Sequence, residues 1–331
     1  MINVRRGVWR ITDKGRERIK HTGGTKLSEI SQPKITVIGF GPDACFTIAN
    51  IALEDKLDMK LVAVDTQIEI DRITGESRTW HSKGSSIGVE TPEGLIFAPT
   101  LRREKIEEIS RGSDLVFLLG DMRDSEVLDS VPKVNAIMGS FEALTIGIFR
   151  LPDASVDTDH LRVMDECMQD LRETLDAWIT VPYNPLLNEL GVSRLRKNVF
   201  RYGIKDIVEL VTVPGAINID ISDLRNVLKN AGPTYMSIGT GYGEAGWAKA
   251  YLDVLHNHFL DISSPKGAKR ILLKIISGYH LTLKVVNDIV DYIKRYAAND
   301  AEVMFGVTLD PSYNQMTKII MLASDLPPLG K

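Results

Sequence analysis

At 331 residues, 44% hydrophobic and 25% charged, the chain has the balance of a soluble globular protein large enough for two cored domains. A net charge of −4 excludes an overall electrostatic case for nucleic acid. Two cysteines, Cys45 and Cys167, exclude a disulfide framework and imply a reducing, cytoplasmic setting.

The charge is uneven. Residues 1–34 carry nine Lys or Arg against Asp13, Glu17 and Glu29, a balance of +6 that leaves −10 for the rest. Gly23-Gly24-Thr25 and Ser28–Pro33 read as a linker, so 1–34 is expected to be a basic extension. Basic residues beside Val8, Trp9 and Ile11 suit an anionic membrane or nucleic-acid phosphate, against the plainer reading of a basic tail packed on the first domain. No apolar run approaches about 18 residues, and no signal-peptide core is present. The expected location is cytoplasmic, peripheral at a membrane if the extension attaches there.

From residue 35 the pattern alternates. Ile35–Phe40, Lys60–Thr66, Leu115–Gly120, Leu144–Leu151 and Trp178–Val181 are short, nearly continuous apolar runs, as expected of strands buried on both faces. Helices are predicted near 43–56, 102–111, 124–138 and 158–176, the last with an N-cap cluster at Asp157-Thr158-Asp159. Strands alternating with helices predict an α/β, doubly wound, Rossmann-like parallel sheet. A helix near 202–212 and the loop Val213–Ser222 lead to a second α+β unit. Its predicted strands are Tyr235–Thr240, Ile271–Ser277, Glu302–Leu309 and Lys318–Ala323, with helices near 246–259 and 281–298. Two consecutive final strands make that sheet mixed.

The turn after Leu115–Gly120 is where such a fold offers bare backbone N–H groups to a phosphate. Here it holds Asp121, Asp124, Glu126 and Asp129. A carboxylate about 6 Å from a phosphate charge is repelled by roughly 3 kcal/mol at an effective dielectric near 20. Against this, Gly39-Phe-Gly41-Pro-Asp-Ala44 matches the dinucleotide fingerprint GxGxxA, and Asp65 closes the second strand where a ribose-binding acid would stand. Pro42 removes a donor from that turn, and no positioned His or Lys suggests hydride transfer. Gly241-Tyr-Gly243-Glu-Ala-Gly246 is expected to be a tight turn in the second unit. His256 and His258 are two apart on a helix, point to different faces and are not read as ligands.

Taken in order, Gly112-Ser-Asp-Leu-Val-Phe117, Leu144-Thr-Ile-Gly147, Val213-Pro-Gly-Ala-Ile-Asn-Ile-Asp-Ile-Ser-Asp223, Met236–Gly246, Gly267–Gly278, Leu281-Thr-Leu-Lys284 and Val303–Pro311 resemble the tubulin/FtsZ family, its prokaryotic FtsZ-like members above all. The resemblance runs from about Ile35 to Ala323. It implies a GTPase-type domain over 35–200, a connecting helix and loop over 201–220, and a C-terminal domain over 221–326. It also implies that Asn218, Asp220 and Asp223 reach a neighbouring subunit's nucleotide, where the acids polarise the attacking water. The plainer reading is that Asp220 and Asp223 cap the following helix.

The departures from the family gather at the nucleotide. Arg123-Asp-Ser-Glu-Val-Leu-Asp129 stands where the family's glycine-rich signature loop would be, and the first loop keeps only Gly39 and Gly41. The segment from Gly84 to Gly94 gains Glu90 and Glu93, and the chain looks shortened between Gly191 and Val213, where the base is held in the family. Gly39, Gly41, Asp65, Gly84 and Gly120 are therefore expected to be a vestigial nucleotide site. The expected function is that of a cytoskeletal or cell-division accessory protein, a pseudo-GTPase with no cofactor, metal or small-molecule substrate. Its partner would be protein: itself or a GTP-competent relative. The alternatives are a divergent active GTPase that binds GTP and self-assembles, and an NAD-type enzyme.

Overall fold

The computed structural model describes residues 2–3, 10–11, 32–54, 59–64, 95–98, 103–152, 156–181, 193–256 and 264–327. The chain divides into two compact units, Met1–Gln32 and Pro33–Lys331. In the first, β1 (Ile2–Asn3) and β2 (Arg10–Ile11) pair antiparallel.

The larger unit begins with β3 (Ile35–Phe40), β4 (Met59–Val64), β5 (Leu95–Ala98), β6 (Leu115–Asp121), β7 (Leu144–Arg150), β8 (Ala177–Val181) and the two-residue β9 (Gly232–Pro233). They form a seven-stranded sheet in the order β5-β4-β3-β6-β7-β8-β9 with every pairing parallel. Its helices are α1 (Gly41–Glu54), α2 (Arg103–Ser110), α3 (Ser125–Met138), α4 (Thr158–Thr174) and α5 (Ser193–Thr212). The strands read as unbroken apolar runs because both faces are covered. On one face Val37, Phe117, Ile146 and Ile179 join Ile48 of α1 and Phe200 and Ile204 of α5. On the other, Ile38, Val116, Leu118 and Phe149 join Ile106, Val131 and Leu171 of α2, α3 and α4.

After α6 (Ile221–Leu228) come β10 (Tyr235–Tyr242), α7 (Gly246–Leu255), β11 (Arg270–Ser277), α8 (Leu283–Lys294), β12 (Glu302–Leu309) and β13 (Met316–Ser324). The sheet order is β10-β13-β11-β12, and only β11 and β12 are parallel, giving the mixed sheet expected. The first apolar cluster continues through Leu224 and Val227 into Leu272, Ile276 and Ile320 of this sheet, so α5 and α6 are packed from both sides.

Two of the boundaries that differ from expectation have a plain physical reason. α5 begins at Ser193 rather than near 202, because the basic run Arg194-Leu-Arg-Lys197 hides its apolar stripe. β6 runs one residue further, to Asp121, because that residue pairs in register with Arg150 of β7. The short β5 was not expected. The Gly241–Gly246 motif is a close approach: a Cβ on Gly241 would stand 2.0 Å from the Gly246 carbonyl oxygen.

Candidate functional site

In the larger unit the strand order reverses between β3 and β6. The crevice beyond the carboxyl ends of those two strands is where a doubly wound sheet takes a ligand. Four charged side chains fill it. Asp121, the last residue of β6, accepts from Arg123 Nε at 2.9 Å, from Arg123 Nη2 at 2.5 Å and from Arg150 Nη1 at 3.0 Å. Asp43, in the first turn of α1, accepts from Arg150 Nη1 and lies 4.0 Å from Arg123 Nη2. The Arg150 guanidinium also lies 5.2 Å from the Phe200 ring centre, a cation–π contact that fixes its base to α5. Burial pushes the Asp121 carboxyl up, but the Arg123 hydrogen bonds and the Arg150 charge outweigh it and hold it below 3.8.

The glycines here serve packing. Gly41 has φ +77°, and a Cβ on it would lie 2.8 Å from Asp124 Oδ2. Asp124 caps α3, accepting from the Glu126 amide at 2.9 Å. A Cβ on Gly120 would fall 2.4 Å from Val127 Cγ1, and one on Gly39 would fall 2.6 Å from Ile48 Cδ1. These residues draw α1 and α3 down onto the strand ends. The expected wall of four carboxylates is thus corrected. Asp121 is balanced within the strand end, while Glu126 points outward. Asp129 lies further along α3 and pairs with Lys133 at 2.5 Å, both side chains 68% exposed.

The loop from Val213 to Asp220 is stitched to the second sheet. Ile217 and Val307 exchange backbone hydrogen bonds of 3.1 and 2.9 Å. Asn218 Oδ1 accepts from the Gly215 amide at 2.7 Å. Asp220 Oδ1 accepts from the Ser222 and Asp223 amides at 2.8 and 3.0 Å, and Asp223 Oδ2 accepts from the Asp220 amide at 3.0 Å. This is a reciprocal capping box at the start of α6. Asn218 and Asp220 are exposed and Asp223 is half-buried.

Beneath this loop, the buried Lys274 of β11 donates to the Val213 carbonyl at 3.0 Å. Lys318 of β13 bonds Asp206 at 2.6 Å and Glu209 at 3.1 Å, both on α5. Burial opposes the charged form of Lys318, but those two acids outweigh it and raise its pKa; Asp206, buried and beside Glu209, is itself pushed up. Burial drives the Lys274 ammonium down to about 8 against the pull of Glu209. Between 8 and 10.5 the unfolded chain therefore holds a proton on this lysine that the folded chain has released, so stability should rise with pH across that window. Urea unfolding at several pH values should show this rise, and Lys274→Met should flatten it.

A family model described as the FtsZ family C-terminal domain matches residues 232–327. The cell division protein FtsZ of Coxiella burnetii is 25% identical over 305 residues, covering 88% of this chain and 79% of that protein. The FtsZ of Buchnera aphidicola subsp. Schizaphis graminum is 25% identical over 304 residues with the same coverage, 88% and 79%. Residues 232–327 thus match the FtsZ family's C-terminal domain, and over most of its length the chain is similar to FtsZ proteins. Among solved structures, a mutant FtsZ of M. jannaschii superposes with a TM-score of 0.68 at 22% identity, covering 95% of each chain. A CetZ from Methanosaeta thermophila gives 0.65 at 14% identity, covering 89% of this chain and 88% of that one.

In this FtsZ-like chain Gly39, Gly41 and Gly120 meet at one crevice, whereas Asn218, Asp220 and Asp223 sit together on a different loop. Asp65, Gly84, Glu90, Glu93, Gly94 and His258 lie outside the described residues, as do 182–192. Sequence reasoning missed Asp43, Arg123 and Arg150. A signal for the strand pair existed: Asp121 and Arg150 stand six residues into β6 and β7, so aligned strand starts place opposite charges side by side. Among the described residues there is no group of three or more potential metal ligands, and no helix is long and apolar enough to cross a membrane.

Proposed function

We propose that this FtsZ-like chain is an accessory subunit of a tubulin/FtsZ-type assembly that neither binds nor hydrolyses GTP and acts through protein partners. The observation that carries this reading is the crevice at the sheet switch point. It is occupied by the ion network Asp43–Arg150–Asp121–Arg123, with Asp124 against Gly41. A triphosphate entering there would have to displace Asp43 from Arg150. Its charges would also face two carboxylates, at roughly 3 kcal/mol for each pair about 6 Å apart.

In this reading docking uses the other end of the chain. Tyr242, Tyr279 and Leu283, exposed by 75%, 74% and 67%, gather at the end of the second sheet where β10 and β11 finish. The loop carrying Asn218 and Asp220 runs beside β12, and its target is a GTP-bearing relative or a second copy. One neighbour by fold is described as an empty FtsZ dimer from M. jannaschii. A cytoplasmic location accords with two buried free cysteines, and residues 1–34 are proposed to attach the chain to an anionic surface.

The test mixes the chain with a GTP-competent relative and follows phosphate release. Asp220→Ala and Asp223→Ala should each cost about 1 kcal/mol of stability through the lost cap. Both should also reduce any stimulation of the partner's hydrolysis. Unchanged stimulation at the reduced stability would leave these acids as helix caps alone.

A further inference from the structure

We propose that a cavity at the opposite end of the seven-stranded sheet from the crevice binds a small zwitterion, an α-amino acid with an apolar side chain. β7 and β8 begin here, at Leu144 and Ala177, and the carbonyl ends of α3, α4 and α6 converge on it at Gly139, Leu175 and Lys229. Its volume is about 370 Å³, within the range of about 300–1,000 Å³ usual for small-molecule sites. None of the crevice residues named above lines it, so the site does not depend on whether the crevice takes a nucleotide.

Four charged side chains line the cavity, Arg172 and Lys229 against Glu173 and Asp176, so its wall is neutral. Two of them are already paired. Asp176, its side chain 5% exposed, accepts from the Thr145 amide and Oγ1 at 2.9 and 3.1 Å, from the Asn230 amide at 3.4 Å and from Lys229 Nζ at 2.9 Å. Arg172 and Glu173 are both exposed, and neither has a side-chain partner among the described residues. Successive helix residues do not face each other, so these two do not pair across the last turn of α4. A lone anion would meet Asp176, Glu173 and three helix ends that repel it, and a lone cation would meet Arg172 and Lys229. A molecule that offers a carboxylate to Arg172 and an ammonium to Glu173 and the helix ends satisfies both signs. Phe141 and Leu175 of the same wall give an apolar side chain a surface to lie on. If Arg172 and Glu173 were solvated surface charges alone, replacing them would change no affinity.

The test titrates three probes into the full-length protein and reads saturation-transfer NMR and the thermal midpoint. The probes are L-leucine, isocaproate, which lacks the amine, and isopentylamine, which lacks the carboxylate. Leucine should bind saturably and at least about tenfold more tightly than either analogue. Arg172→Gln should leave leucine no tighter than isopentylamine, and Glu173→Gln should leave it no tighter than isocaproate. Both variants should keep the wild-type midpoint when no probe is present. No saturation by leucine, equal binding of leucine and an analogue by the wild type, or a leucine preference that survives either substitution would overturn the proposal. Should a variant fail to fold, the comparison of the three probes on the wild type decides alone.

Discussion

Arg150→Ala should lower the unfolding free energy by about 3 kcal/mol, because it leaves the buried Asp121 with one guanidinium instead of two and Asp43 with only the 4.0 Å approach of Arg123. The lost stacking on Phe200 adds to the effect. The loss should depend on pH with a definite sign. Asp121 is held below 3.8 in the folded chain, so its contribution is present above 3.8 and disappears as the pH falls through the lowered value. The gap between wild type and Arg150→Ala should therefore be full at neutral pH and close in acid. Denaturant unfolding of both proteins at neutral pH and in strong acid measures this. A gap that stays constant would mean that Arg150 acts through packing rather than charge.

Gly215→Ala is the second large effect. A Cβ there would stand 2.2 Å from the Val307 carbonyl oxygen and 2.7 Å from Thr308 Oγ1, so the loop must lift away from β12. The Ile217–Val307 bridge would break, and Asn218 would lose its anchor on the Gly215 amide. The cost should lie at the top of the range of about 1–3 kcal/mol for overpacking, since the obstacle is backbone rather than a movable side chain. Amide exchange at Ile217 and Val307 should accelerate, while exchange in β3 and β6 stays slow. Gly243→Ala is the control: it has φ +81° but nothing within 4 Å, so only the backbone strain, about 1 kcal/mol, should appear.

Much of the fold is legible in the residues because burial on both faces leaves a plain mark. β3, β6 and β7 contain almost nothing but apolar residues, and two final strands without an intervening helix announce the mixed sheet. The Asp157 cap was equally readable, and it accepts from the His160 amide at 2.7 Å. The crevice was half legible. An acidic turn after β6 signalled a changed site, but its chemistry was read as a row of repelling carboxylates. Two facts hidden from local pattern altered that reading. The register between β6 and β7 puts Arg150 beside Asp121, and the start of α1 brings in Asp43 from a distant segment. Lys274 was hidden for the opposite reason. It lies within an apolar strand next to Gly306, and only the packing of α5 against that sheet turns it into a buried charge. For Asn218, Asp220 and Asp223 the spacing was visible. The capping box accounts for the two acids structurally, and their action on a partner is decided only by the partner.

The proposal that the crevice of this FtsZ-like chain is closed to nucleotide has a direct consequence for binding. Isothermal titration of GTP, with GDP and NAD in parallel, into the full-length protein at neutral pH with magnesium tests it most directly. No saturable heat is expected for any of the three up to millimolar ligand, with the ion network of Asp43, Arg123, Asp121 and Arg150 left undisturbed. Saturable one-to-one binding of GTP in the micromolar range would contradict it.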